Sequence, residues 1–445
     1  MKILLISPTW KKNVGIKRLR RDKIFKFPPH NLLIVAGLTP NDIEVEIIDE
    51  NVEDIDFNKE PDLVGITTMT ASAPRAYEIA DFFRKKGIPV VMGGIHVTAL
   101  PQEAIQHVDA VVIGEAEGCW QKLLEDFKKG GKKALSQFYQ NPTLPDPSSI
   151  PLPQRDLIKK KGYFFRFIQI SRGCPFDCAF CSVSRFFGKK YRFRPVEKVA
   201  EEINTIVGKS LKERFIGFLD DNIVGNVAYA KKLFKALIPY KLLWAGQSSI
   251  NIAHDEELLS LAAQSGCKGL FIGFESVSEK SLKEAHKRQN KVSFYKKAVE
   301  KIHKFGIAIE GAFIFGFDND DKNVFKKTVK FIEKVKLDVA QFTVLTPLPG
   351  TRLYEKLEKE KRITDKDWSN YDFTHAVFKP KLMTPEELKQ GLAWAYKRIY
   401  SVPSILKRLS GSFSGGRWKY LWAILALNMG YRRTFKSRKT LPAKG

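Results

Sequence analysis

Arg172-Gly173-Cys174-Pro175-Phe176-Asp177-Cys178-Ala179-Phe180-Cys181 places three of the chain's five cysteines within eight residues, directly after an apolar run at 164–171. Five cysteines in 445 residues cannot form a disulfide framework, and crowding three of them into one loop points to metal in a reducing compartment. Three thiolates are one short of a closed structural zinc site and one short of the set that usually holds an electron-transfer cluster. Three is the number that leaves one iron of a [4Fe–4S] cluster open to a further ligand.

Downstream, the apolar runs 214–220, 242–248, 269–274, 307–315 and 339–345 continue the series begun by 164–171. Helical stretches such as 196–207, 228–237, 256–264 and 325–334 separate them. Short apolar runs ended by Gly, Pro, Ser or a charge read as buried strands. Six βα repeats predict a partial or complete parallel barrel with its chemistry at the carboxyl ends of the strands. Candidate groups stand at those ends: Asp220 and Asp221, then Gln247 and Ser249, then Glu275. Glu275 has an alternative reading as a helix N-terminal carboxylate, and Lys287 and Arg288 beyond it read as a solvated basic face or, by the resemblance drawn below, as partners of a ligand carboxylate.

Upstream, strands at 2–7, 43–49, 63–67, 90–92 and 110–114, with an amphipathic helix at 73–86, predict a doubly wound parallel sheet. Ligands of such sheets sit beyond the carboxyl ends of the strands. That edge holds Ser7-Pro8-Thr9, Thr67-Thr68-Met69-Thr70, Gly93-Gly94-Ile95-His96 and Gly114-Glu115, which are either ligand loops or plain tight turns. Five prolines between 141 and 155 make a stiff linker. The expected fold class is therefore α/β. A doubly wound domain spans 1–140, a linker 141–160, a six-stranded TIM-like barrel 161–383 and a basic helical region 384–445.

The cysteine loop resembles that of the radical S-adenosylmethionine (SAM) superfamily, whose CxxxCxxC follows the first strand of a βα barrel with an aromatic residue before the third cysteine, here Phe180. The resemblance implies that Cys174, Cys178 and Cys181 hold a [4Fe–4S] cluster whose open iron chelates SAM. It further implies reductive cleavage to a 5′-deoxyadenosyl radical. Asp220 and Asp221 would hold the SAM ammonium, and Gln247, Ser249 and Glu275 its ribose and carboxylate region. The strand 311–316, GAFIFG, would lie near the adenine. A doubly wound domain in front of this barrel resembles the cobalamin-binding radical SAM group, as do Phe27-Pro28-Pro29, Ile48-Asp49-Glu50-Asn51 and Ile113-Gly114-Glu115. Thr67, Thr68, Thr70, Gly93, Gly94, His96, Gly114 and Glu115 would then surround the corrin and its nucleotide tail. The DxHxxG motif of other cobalamin proteins is absent around His96, so a lower-face histidine ligand to cobalt is not expected. The implied reaction is methylation of an unactivated carbon of a small-molecule or lipid/isoprenoid substrate. Cyclisation or carbon–carbon bond formation without methyl transfer is the alternative, and a nucleic-acid-binding iron–sulfur protein is a rival of another class. A reductant such as ferredoxin or flavodoxin is implied.

Composition bounds the partners. With 44% hydrophobic and 28% charged residues the chain is globular in type, not disordered, collagenous or multi-span. The N-terminus lacks a signal-peptide core and no apolar run reaches a spanning length, so a cytoplasmic location is expected. The net charge of +26 fits nucleic acid, an anionic membrane or a polyanion. Transfer-RNA methylthiotransferases of similar layout need a second three-cysteine cluster, and Cys119 and Cys267 alone cannot supply one, so nucleic acid is disfavoured. Basic residues concentrate at 11–26 and at 401–445, the latter without any acidic residue. Trp418 to Leu427 in that tail reads either as an interfacial membrane helix, giving a peripheral attachment and a lipid or isoprenoid substrate, or as a helix that covers the barrel.

Overall fold

The first sheet has the strand order β2-β1-β3-β4-β5-β6, with all neighbours parallel. The structure, a computed structural model, describes residues 1–10, 27–158, 163, 166–208, 210 and 213–437. The strands are β1 (Lys2–Ser7), β2 (Glu44–Asp49), β3 (Leu63–Thr67), β4 (Val90–Gly93), β5 (Ala110–Ile113) and β6 (Phe138–Gln140). Alternate residues of β1 are buried on opposite faces. Leu4 and Ile6 pack under the helix Ala73–Lys85, whereas Ile3 and Leu5 pack under the helices His30–Leu38 and Cys119–Gly130. Burial on both faces is why these strands read as continuous apolar runs. The chain reverses direction across the sheet between β1 and β3, so the crevice beyond Ser7 and Thr67 is its natural ligand site. The three-residue β6 is not among the expected strands; it carries too few residues to show a period.

The second sheet runs β7 (Arg166–Ile168), β10 (Phe215–Phe218), β11 (Leu243–Ser248), β12 (Cys267–Glu275), β13 (Ala308–Phe315) and β14 (Val339–Val344), again all parallel. β7 and β14 do not pair, so the barrel is open. Residues 164 and 165 of the expected first strand lie outside the described residues. Helices Val196–Ile206, Val227–Leu237, Glu256–Gln264, Val292–Lys304 and Val324–Val335 pack outside it over one continuous apolar core. Gly311 points into that core, where a Cβ would stand 3.0 Å from Leu337 and 3.2 Å from Phe274, and so it does not face a ligand inside the barrel.

The free edge of β14 is covered by the helix Pro385–Ile399 and the residue after it. Tyr396 Oη donates to the Phe342 carbonyl and accepts its N–H, and Tyr400 Oη does the same at Ala340. Satisfying an edge strand in this way removes a template for aggregation. Helices Val402–Leu409 and Leu421–Ser437, joined by a 3-10 stretch Ser410–Tyr420, complete the cover. Two cations of the basic tail are interior. Arg408 donates to the Leu337, Asp338 and Ile399 carbonyls and to Asn428, and Arg417 pairs with buried Asp338 at 3.3 Å. The tail thus covers the barrel through Arg417, Ile424 and Asn428 while Trp418, Trp422 and Leu425 stay exposed. The basic residues 11–26 and 438–445 lie outside the described residues.

Candidate active site

After β7 the chain forms β8 (Ser171–Arg172), which pairs antiparallel with β9 (Arg192–Phe193) and closes the neck of the cysteine loop. Gly173 begins the loop at φ +87°, and a Cβ there would lie 2.3 Å from the Lys190 carbonyl oxygen. Only glycine fits that neck. Asp220, at the end of β10, accepts the Ile170 and Ser171 N–H groups and the Ser171 hydroxyl (2.7 Å). Burial pushes its carboxyl up to about 7 against those hydrogen bonds. Asp220 therefore positions the loop and does not face a SAM ammonium, contrary to the expectation. Asp221 beside it is exposed yet ringed by protein, which lifts its carboxyl to about 6.

Burial raises all three thiols, Cys181 to about 12. Cys174 and Cys181 each feel the charge of Cys178, and all three feel that of Lys287, so they share one neighbourhood. Among the described residues no three His, Cys, Asp or Glu side chains converge to hold a single metal ion. A cluster that offers each thiolate its own iron needs no such convergence, and three soft donors, one buried and two half-buried, with a nearby ammonium suit an anionic iron–sulfur group. Lys287 is not a solvated residue as its sequence context suggests: its side chain is 15% exposed and its Nζ lies 2.6 Å from Glu275 Oε1. Burial pushes its ammonium down, but Glu275, Cys178 and Cys181 outweigh this and hold it above the ordinary lysine value. Glu275 is not a helix N-terminal carboxylate. It ends β12 at φ +61°, where the pairing with β13 shifts register, and its side chain folds back over Gly273. Asn290 Nδ2 and Tyr295 Oη fix this bend by donating to the Phe274 carbonyl. Gln247 is exposed at the end of β11, and the Ser249 N–H donates to Asn222 Oδ1 (2.9 Å), whose buried Nδ2 has no partner among the described residues. Phe180 lines a depression with Phe317.

At the edge of the first sheet, Gly94 (φ +113°) crosses Thr68 so closely that a Cβ would lie 2.5 Å from the Thr68 carbonyl oxygen. Thr68 Oγ1 is buried without a partner among the described residues, and Thr67 Oγ1 accepts from Asn31. Gly93 and Gly114 have room around them, so these loops can cradle a ligand tail. Thr70 is buried in a 3-10 turn, and Met69 is presented instead, 60% exposed. Besides Thr70, two expected contacts fail. His96 is buried, with Nε2 3.3 Å from Glu103 Oε1 and its ring edge-on to Trp368 at 5.3 Å. Trp368 Nε1 donates to the same carboxylate (2.9 Å), so His96 ties the first sheet to the segment beyond the barrel. Glu115 is buried in ion pairs with Arg172 (2.5 Å) and Arg192, and Glu117 joins Arg172 at 2.8 Å. These two arginines are the neck of the cysteine loop, so Glu115 and Glu117 clamp that loop to the carboxyl edge of the first sheet.

Sequence reasoning missed the roles of Arg172, Arg192, Glu117 and Met69, and weighed Lys287 only as a partner for the SAM carboxylate or a solvated residue. Charges buried across 55 to 77 residues leave no local period. The one available signal was Arg172 standing beside the glycine of the motif.

Residues 168–332 match the Radical SAM superfamily, residues 25–124 the B12 binding domain and residues 351–435 a domain of unknown function, DUF4070. The chain is 33% identical over 394 residues to a bacteriochlorophyllide d C-12(1)-methyltransferase of Chlorobaculum tepidum, covering 86% of this chain and 85% of that one. It is 26% identical to a hopanoid C-2 methylase of Rhodopseudomonas palustris, covering 84% and 73%. The fold is similar to the radical SAM methyltransferase TsrM from Kitasatospora setae, solved with cobalamin and a [4Fe–4S] cluster, at a TM-score of 0.71, 15% identity and coverage of 97% and 99%.

Proposed function

Because this chain belongs to the radical SAM methyltransferases that carry a B12-binding domain, and is itself a cobalamin-dependent enzyme of that kind, we propose that it methylates an unactivated carbon of a small-molecule, lipid or isoprenoid substrate held between its two sheets. The observation that carries this reading is the Glu115/Glu117 clamp on Arg172 and Arg192, which brings the cysteine loop and the ligand edge of the first sheet to one space. The bacteriochlorophyllide, a tetrapyrrole small molecule, and the hopanoid, an isoprenoid lipid, named for two relatives span this substrate class. Units 1–140, 161–383 and 384–445, joined by linker 141–160, are the domains of this reading.

When bound, the cluster, SAM and cobalamin supply a radical that removes hydrogen from carbon and a methyl group that replaces it. Cys174, Cys178 and Cys181 hold the cluster, with Asp220 fixing the entry to their loop. Asp221, Gln247, Ser249 and the Glu275–Lys287 pair line the SAM side, where carboxylate and ammonium match the two charged groups of an amino acid. Thr67, Thr68, Gly93, Gly94 and Gly114 hold the cobalamin tail. A site closed between the sheets would exclude water from the reacting carbon.

Anaerobic reconstitution with iron, sulfide and cobalamin, followed by turnover with SAM, tests the reading. Methylated product together with S-adenosylhomocysteine is expected; deoxyadenosine without S-adenosylhomocysteine supports cyclisation, as named for a 27% identical relative from Cereibacter sphaeroides, and defeats methyl transfer. Cys178→Ala should retain the fold and lose SAM cleavage.

No helix among the described residues is long and apolar enough to cross a membrane. Trp418, 56% exposed, and Trp422, 74% exposed, stand with Leu425 at helical spacing beside Lys419, which fits a cytoplasmic enzyme resting on an anionic bilayer. Trp418→Ser/Trp422→Ser should keep its melting temperature and lose partitioning onto phosphatidylglycerol vesicles; undiminished binding removes the tail from this role.

A further inference from the structure

Ala179 and Phe180, between the second and third cysteines, form part of the wall of a depression of about 280 Å³. Phe317, Leu345 and Leu353 make it apolar, and His286, Arg352 and Lys356 stand in its lining. Its rim is electrostatically lopsided. Asp177 faces Lys189 (3.1 Å), Arg352 (2.5 Å) and, through its field, Arg185. Asp318 faces Lys356 (2.8 Å), Arg362 (2.7 Å) and Lys381 (3.1 Å). Each carboxylate is outnumbered three to one, and Glu284 and Glu360 do not offset the excess. Two such knots flanking one apolar depression present a cationic rim around a dry centre.

This depression lies against the segment that separates two of the thiols, which makes it a short route by which charge can reach them from outside. We infer that it is the docking face for an acidic one-electron carrier protein, whose exposed redox group sits over Ala179 and Phe180. One electron leaves the reduced carrier and enters the oxidised cluster; the carrier is oxidised by one electron, the cluster is reduced by one, and no atom or proton crosses. Weak redox encounters use small interfaces, and their on-rates are set by charge complementarity more than by area. An apolar centre within a cationic rim is suited to such a partner. The inference rests on the three cysteines holding a reducible cluster.

The experiment follows cluster reduction in the reconstituted holoenzyme by stopped flow, with reduced flavodoxin as the acidic carrier and photoreduced 5-deazaflavin as a small donor that needs no protein face. With flavodoxin, the parent rate should fall as salt is raised. Lys189→Glu/Lys356→Glu should slow flavodoxin about tenfold at low salt and leave the deazaflavin rate unchanged. If that variant folds poorly, Lys189→Gln/Lys356→Gln should slow flavodoxin about threefold with the same deazaflavin control. A salt-independent parent rate, a flavodoxin rate unchanged in the variants, or a deazaflavin rate that falls in proportion overturns the docking face while leaving the cluster assignment standing. A holoenzyme with no iron–sulfur absorbance overturns the cluster assignment, and the docking face with it.

Discussion

Glu275 holds a left-handed backbone conformation, φ +61°, that costs a non-glycine residue about 1–3 kcal/mol. The strain is retained because Asn290 and Tyr295 pin the Phe274 carbonyl and because Lys287 takes the carboxylate. A Cβ at Gly273 would lie 2.2 Å from Glu275 Oε1, so Gly273→Ala should drive the carboxylate off Lys287. SAM affinity, measured by calorimetry on the reconstituted protein, should fall at least tenfold, or about 1.4 kcal/mol. Asp318 makes a prediction about pH. Burial alone would raise its carboxyl, but Arg362, Lys356 and Lys381 hold it well below the carboxylate range. Its folded pKa is thus lower than its unfolded one, so the stabilisation is complete above the unfolded value and is lost as pH falls through it toward the folded value. Asp318→Asn should cost about 2 kcal/mol at pH 7, and the gap between the two denaturation midpoints should narrow below pH ~4. None of these partnerships was legible in sequence. The residue types at the strand ends were visible, but whether a carboxylate faces a ligand, a lysine or a backbone amide depends on what the fold brings to it, as Asp220 and Glu275 show.

At the scale of elements, every expected strand of both sheets is present, because a parallel strand buried on two faces must be a continuous apolar run. Most of their ends moved by a residue or two, the first barrel strand stops at Ile168 instead of Ser171, and the short pieces β6, β8 and β9 escaped notice because two or three residues carry no period. The tail divides along its helices: the spacing of Trp418, Trp422 and Leu425 was readable, whereas the burial of Arg408 and Arg417 under a neighbouring helix was not. Tyr396 and Tyr400 likewise read as ordinary aromatic positions, yet their hydroxyls occupy the edge of β14. Tyr396→Phe/Tyr400→Phe should cost about 1 kcal/mol per lost side-chain hydrogen bond and accelerate amide exchange at Ala340 and Phe342. Exchange confined to other strands would refute the capping role.

For the whole molecule the decisive contact is between sheets. Glu115 and Glu117 neutralise Arg172 and Arg192 where all four are buried or nearly so, and removing the carboxylates leaves an uncompensated interior cation. Glu115→Gln/Glu117→Gln should lower stability by about 3–5 kcal/mol and split a single calorimetric transition into two, one for each sheet. An unchanged single transition would mean that the clamp does not couple them. By itself the sequence determined the two βα series, the cysteine loop between them and the chemistry that three clustered thiolates imply, because strand period and ligand spacing are local properties. Only the tertiary structure decided that Asp220, Glu115 and His96 serve the framework, that Lys287 faces the thiols and that tail arginines lie inside. Those roles depend on which distant charge is buried beside which, and a buried ion pair between remote segments leaves no periodic trace in either.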